Sequence, residues 1–225
     1  MTPRRNLQPS PRRKAAQSET YHHGNLRAAL ILATLELLDE GGPDAVSVRE
    51  VAKRVGVSAA APFRHFPTRT ALLTAVAEEA SRRLKQEIAA AVAAVSLRDP
   101  LERLRAFGIG YLRWVNRNQA MFLVVSTRSL VDYEGSPSLG PESDELRSQM
   151  EALLREAADQ GILRRGLNPA TVTLAARAFV YGLARMLIDD HLRRWKKPAE
   201  KPQAAIQSAL DFFIDGLRAP RPNAA

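Results

Sequence analysis

The segment 46–73, VSVREVAKRVGVSAAAPFRHFPTRTALL, constrains this chain more than any other. Ser47 followed three residues later by Glu50 has the pattern of a capping box, which satisfies amide groups left open at a helix start. Val48, Val51, Ala52 and Val55 then give one apolar stripe at helical spacing. Gly56 suits the left-handed residue that ends such a helix, and Ser58 offers a cap for the next one. Two short helices joined by a tight glycine turn make a helix-turn-helix, whose second helix can enter a DNA major groove. That second helix would present Ser58, Ala59 and Ala60, side chains small enough to let backbone approach bases closely. Pro62 must lie near its start, because deeper in a helix it would remove a backbone hydrogen bond.

Charge placement agrees with a polyanionic partner. The chain carries 33 Lys and Arg against 24 Asp and Glu, a net charge of +9. Residues 1–14 hold five basic and no acidic side chains. No acid lies between Glu50 and Glu78, where Lys53, Arg54, Arg64 and Arg69 all fall. Such local imbalance suits a surface that faces phosphates. Alanine and leucine are abundant and aromatic residues make up 6%, which favours an all-helical chain. There is no cysteine, hence no disulfide framework and no thiolate chemistry. The apolar runs are read as too short to span a bilayer, and the basic start lacks the apolar stretch of a signal peptide. The reading is therefore of a cytoplasmic protein with no membrane partner.

The rest reads as helix after helix. Residues 1–20, rich in Pro, Arg, Gln and Ser, are expected to be a disordered basic arm. A first helix over about 25–40 ends at Gly41-Gly42-Pro43. Pro67-Thr68 opens a long helix to about residue 95, and Asp99-Pro100 opens another to about 116. Further helices are expected at about 119–126, 142–160, 168–191 and 203–217, with 193–202 as a connection. About nine helices result. They divide into a head over 21–67, a larger domain over 68–219 sharing the long helix, and a tail at 220–225.

The stretch YHHGNLRAALILATLELLDEGG, followed by VSVREVAKRVGVSAAAPFRHFPTRTALL, resembles the TetR/AcrR family of bacterial transcriptional regulators. The similarity is specific over about 21–84 and weaker in the C-terminal half. It implies a DNA-binding head on a ligand-sensing, dimerising domain, most often in a repressor that releases a near-palindromic double-stranded operator. By this resemblance Ser47, Phe63, His65 and Arg69 touch phosphates and Arg49 touches a base. Arginine is the commonest reader of guanine, and Arg49 has no evident structural duty. Phe63 stands where the family usually has tyrosine, and it has no hydroxyl to donate. Each assignment has a plainer alternative: a helix cap for Ser47, a core histidine for His65, a solvated charge for Arg69.

Phe107, Tyr111, Trp114, Met121, Phe122 and Phe179 are the residues expected to line a pocket between helices, with ordinary core as the alternative. Few charges lie among them, so an apolar or aromatic effector is expected. The resemblance implies a homodimer built on the last two long helices, for which Phe179, Gly182, Met186, Leu210, Phe213 and Leu217 are the candidates. An intrachain core is the competing role for each. Tyr181 stands where a subgroup has histidine before Gly-Leu.

No GxSxG, P-loop or HExxH pattern is present, so no enzyme, cofactor or metal site is expected. Asp189-Asp190-His191 are adjacent on a helix and point in different directions. Two other classes fit the sequence less well: an architectural or co-regulator DNA binder without a small ligand, and a helical carrier or enzyme with a vestigial head. The basic arm generates a direct test. Removing residues 1–14 is expected to weaken operator binding and to flatten the dependence of affinity on salt, measured by titration at several ionic strengths. Unchanged affinity and slope would refute a role for the arm.

Overall fold

The computed structural model describes residues 26–96, 98–195 and 201–220. The arm expected over 1–20, the HHG motif at 22–24 and residues 221–225 of the tail lie outside the described residues. Contacts divide the chain into two compact units, one ending at Leu72 and the other beginning at Leu73.

In the first unit, α1 (Leu26–Gly41) buries Leu30, Ile31, Leu37 and Leu38. A single 3-10 turn, Pro43–Ala45, leads to α2 (Val48–Val55). The Ser47 hydroxyl caps α2, accepting from the Glu50 amide at 3.1 Å. Gly56 closes the helix at φ 77°, and its N–H turns back to the carbonyls of Ala52 and Lys53. An L side chain there would be strained, so glycine is the residue that lets the chain reverse so tightly. Val48, Val51 and Ala52 face inward, as the stripe requires.

The second short helix expected from Ser58 is not an α-helix. The Ala61 amide bonds the Ser58 carbonyl at 3.0 Å, and Ala61–Arg64 forms one 3-10 turn that the His65 amide closes on Pro62 at 2.9 Å. Proline explains the difference. An α-helix capped by Ser58 needs an N–H on residue 62 for the Ser58 carbonyl, and Pro62 has none; its ring also pushes Ala61 away from helical angles. The turn starts without a side-chain cap. Pro62 and Phe66 are buried beneath it while residues 58–60 stay exposed.

Next comes α3 (Arg69–Ala93), whose first turn is fastened by the Thr68 hydroxyl accepting from the Ala71 amide at 3.0 Å. The second unit contains most of α3, then α4 (Pro100–Arg117), α5 (Gln119–Ser126), α6 (Leu139–Asp159), α7 (Pro169–Ile188), α8 (Leu192–Trp195) and α9 (Pro202–Leu217). Nine α-helices thus occur among the described residues. One is absent at 58–64, and α8 is gained in the stretch expected to be a connection. The start of α6 comes three residues earlier than residue 142, because Gly140 and Pro141 fall in its first turn, where a missing amide costs little.

Two side chains cap the long helices as their residue types suggest. Asp99 accepts from the Leu101 and Glu102 amides at 2.8 and 3.2 Å, and Asn168 from Ala170 and Thr171 at 2.9 and 3.2 Å. Arg218, just past α9, pairs with Asp99 at 2.9 Å and Glu102 at 2.6 Å, tying the two ends together. Burial alone would raise the Asp99 carboxyl, but Arg218 and the two amides outweigh it and hold it below its ordinary value.

The expectation that no apolar run could span a bilayer needs correction. At twenty residues α7 is long and apolar enough to do so by length and composition. Arg177 and Arg185 interrupt it, and it packs one face, with Val172, Ala176, Val180 and Leu183, against α4, α6 and α9 while the rest of its surface stays outside the core.

The closest approach of one helix backbone to another in this unit is at Gly110 of α4. A Cβ there would stand 2.9 Å from the Ile88 Cα and 3.1 Å from the Glu87 carbonyl of α3. Backbone cannot yield as a flexible side chain does. Gly110→Ala is therefore expected to destabilise the protein by about 1–3 kcal/mol despite alanine's better helix propensity, measured by urea denaturation.

Candidate functional site

In the first unit, Ser47, Arg49, Ser58, Ala59, Ala60, Phe63, Arg64 and His65 are all exposed. They come from the start of α2 and from the turn that follows it. Phe63 is 46% exposed although it is a large apolar side chain. Pro62 and Phe66, buried on either side, anchor the backbone so that Phe63, Arg64 and His65 point outward. The His65 ring lies 6.4 Å from that of Phe66, beside the core rather than within it.

The five cations between Ser47 and Arg69 do not share one fate. Arg54 reaches back to α1, pairing with Glu40 at 2.6 Å and Glu36 at 3.3 Å. Its hydrogen bond holds the Glu40 carboxyl below the ordinary value and raises Arg54's own. Lys53 stands 3.4 Å from Glu50. Arg69 donates from Nε to the Val46 carbonyl at 2.9 Å and from Nη2 to the Pro43 carbonyl at 2.6 Å. It thereby clamps the chain before α2 to the first turn of α3. Arg49 and Arg64 are exposed and enter no ion pair among the described residues. Arg64 was not among the candidates, although its place between Phe63 and His65 could have suggested it.

The second unit holds a cavity of about 290 Å³. Leu84 and Ile88 of α3, Phe107 and Tyr111 of α4, Met150 of α6 and Val180 of α7 are among its walls. Trp114 and Phe122 line it as expected, together with Phe107 and Tyr111. Met121 and Phe179 do not. Met121 is buried elsewhere in the core, and Phe179 stacks on Phe213 with ring centroids 4.9 Å apart. The Trp114 indole N–H and the Thr173 hydroxyl, on residues of the cavity wall, are buried without a hydrogen-bond partner among the described residues.

Two arginines stand on the wall beside the expected aromatic positions. Arg147 pairs with Asp144 and Glu151. Arg177 donates to the Tyr111 hydroxyl at 2.9 Å and lies over the Tyr111 and Tyr181 rings, at 5.1 and 5.6 Å from their centroids. Burial pushes the Tyr111 phenol upward, with Arg177 opposing. These residues were missed because their place on the wall depends on which helices meet, which no local pattern reports.

On the dimer candidates the structure is mixed. Leu210 and Leu217 are buried with Ile206 and Ile214 on the inner face of α9, so they are not available to a partner. The period-four apolar pattern read there is the chain's own core stripe. Phe213 lines the cavity. Phe179, Gly182 and Met186 are half-buried. On α7 and α9 the large apolar side chains that do face outward are Leu174, 71% exposed, and Phe212, 82% exposed. No cluster of three His, Asp or Glu suited to a metal occurs among the described residues.

Residues 30–76 match the family model for bacterial regulatory proteins of the tetR family, and residues 104–213 match that for the tetracyclin repressor-like C-terminal domain. The chain is 27% identical over 154 residues to the nucleoid occlusion factor SlmA of Marinobacter nauticus, covering 68% of this chain and 77% of that one. It is 36% identical over 84 residues to the HTH-type transcriptional regulator BetI of Yersinia pestis, covering 37% of this chain and 42% of BetI. In structure it is similar to a protein of unknown function from Rhodococcus sp. RHA1, with a TM-score of 0.71 and 25% identity over 88% of this chain and 97% of that one.

The clamp made by Arg69 generates a prediction that separates fastening from phosphate contact. Arg69→Ala should lower the thermal stability of the DNA-free protein, by about 1–3 kcal/mol for two lost bonds to backbone carbonyls. A residue that only met phosphate would leave the DNA-free protein unchanged.

Proposed function

The chain belongs to the TetR family of bacterial regulatory proteins and is a transcriptional regulator with a DNA-binding helix-turn-helix head, and on that premise we propose that it is a homodimeric, cytoplasmic repressor that a small effector releases from its operator. The observation that carries this reading is the occurrence of an outward, cation-flanked turn at 58–65 in one unit and a largely apolar cavity in the other. One feature addresses the nucleic acid and the other a small molecule.

On the DNA side, Arg49 reads a base edge, most readily guanine, while Arg64, His65 and Ser47 meet phosphates. Ser58, Ala59 and Ala60 let the backbone come close and offer apolar contact to a thymine methyl. A single 3-10 turn carries few donors, so DNA shape contributes to the choice of site. Phe63 supplies exposed apolar surface where a hydroxyl would otherwise bind phosphate.

Two-fold DNA asks for a two-fold protein. Leu174, Ala178 and Gly182 form one outward row on α7, and Phe212 and Gly216 another on α9. Open space above Gly182 and Gly216 would let a partner helix come close. We assign the dimer contact to these rows, with Phe179 and Met186 at their margin. The effector favours one spacing of the two heads over another, and it need discriminate the states by only a few kcal/mol. The natural connector is α3, which carries Arg69 at its start and Leu84 and Ile88 of the cavity wall further on.

The likeness to a nucleoid occlusion factor favours a second reading, a DNA-bound protein whose task is not gene-by-gene repression. Selection of genomic fragments with purified protein decides between them. Few sites beside genes support the regulator, whereas many dispersed sites support the second reading. On a selected site, Arg49→Ala should cost about 1–3 kcal/mol and relax preference at one base pair. Arg64→Ala should weaken all sequences alike and reduce the salt slope by about one. Fluorescence anisotropy with matched and mismatched duplexes reads both.

A further inference from the structure

We propose that the ligand of the α3–α4–α6–α7 cavity is an amphipathic monocarboxylate, its carboxylate received by Arg177 and its apolar body held among Leu84, Ile88, Phe107 and Met150. The proposal rests on the effector-binding reading above and narrows it to one chemical class.

Charge balance on the wall singles out Arg177. Of the two arginines there, Arg147 is already neutralised by Asp144 and Glu151 on its own helix. Arg177 pairs with no carboxylate among the described residues; its polar partner is the neutral Tyr111 hydroxyl. The guanidinium lies over the Tyr111 and Tyr181 rings and donates to the Tyr111 hydroxyl, contacts that restrain a side chain otherwise open to solvent before any ligand arrives. Pre-ordering lowers the entropic cost of using it. A planar guanidinium presents a fork that matches a carboxylate, and one uncompensated cation matches one negative charge.

Thr173 is a second, independent pointer. It stands one turn before Arg177 on α7, so both side chains emerge from one helix face. Its hydroxyl is buried, on the cavity wall, and lacks a partner, and a buried unpaired donor is costly unless something meets it. A carboxylate has two oxygens, enough for the guanidinium and this hydroxyl together. Apart from the hydroxyls of Ser81, Ser126 and Ser143, the rest of the wall is mainly aliphatic and aromatic, which favours a body of aromatic or branched aliphatic carbon. At about 290 Å³ the space is near the lower end of small-ligand pockets, which excludes a bulky body.

The probes are a panel of small aromatic and branched aliphatic monocarboxylates, such as 3-phenylpropionate and 4-phenylbutyrate, each with its isosteric neutral amide. Full-length protein is screened by thermal shift, and hits are titrated by calorimetry. The expected result is that carboxylates bind at least about tenfold tighter than their amides, as one charge-assisted contact requires. Arg177→Gln should abolish that preference while the amides bind as before. Thr173→Val should reduce the preference without removing it. Because Arg177 also braces Tyr111, Arg177→Lys serves as the folded control and should retain part of the preference. Amides and carboxylates that bind equally well would overturn the carboxylate assignment and leave an effector cavity standing. Failure of every member to bind, or to release selected DNA, would overturn both.

Discussion

The head depends on one buried courtesy: the Arg69 guanidinium satisfies the carbonyls of Pro43 and Val46, more than twenty residues earlier in the chain. Those carbonyls belong to the turn between α1 and α2, where the Val46 amide also closes on the Pro43 carbonyl at 3.1 Å. Arg69 is also the first residue of α3. A single side chain therefore locks the entry to one helix against the entry to another. The exposed turn at 58–65 lies between these two fixed points in sequence. Pro62 and Phe66, buried beneath it, anchor a turn that has no side-chain cap of its own.

The same economy shapes the charge of this unit. The cation run after Glu50 looks uniform in sequence, yet only part of it is available to a polyanion. Arg54 braces α2 against α1 through Glu40 and Glu36, and Arg69 is turned onto backbone. The braces leave Arg49 and Arg64 as the cations with no structural partner among the described residues. Positive charge that stabilises the fold and positive charge that can meet phosphate are thus carried by different residues, separated by a few positions.

How much of this was legible in the sequence follows from the range of each interaction. The Ser47 cap, the left-handed Gly56, the caps at Asp99 and Asn168 and the buried stripe of α2 are fixed by residues within four positions, and each stands where the pattern placed it. The capping box is only half formed: Ser47 meets the Glu50 amide, while the Glu50 carboxylate turns to Lys53. The missing second helix was also local, since Pro62 falls where its carbonyl partner would need an amide. Proline at that position is a break in the helix, not merely a limit on its depth. What could not be read was the destination of long side chains. Arg54, Arg69 and Arg177 all resemble solvated cations in sequence, and their partners lie on other helices.

The cavity shows the same division from the other side. Phe107, Tyr111, Trp114 and Phe122 line it, and all come from α4 and the helix after it, where aromatic spacing alone marks one face. Met121 follows the same composition but is buried away from the cavity, because α5 packs Ala120, Met121, Phe122 and Val124 into the core and only Phe122 among them reaches the cavity wall. On α9 the ambiguity is deeper. Ile206, Leu210, Ile214 and Leu217 make a stripe that could serve a partner or the chain itself, and burial resolves it in favour of the chain. Phe212, on the opposite face, breaks no pattern and so drew no notice, yet it is the most exposed large apolar side chain among the described residues. An apolar residue that the fold leaves in water has an unfavourable hydration cost to recover. A second surface of the same kind, related by two-fold symmetry, would recover it at both copies at once.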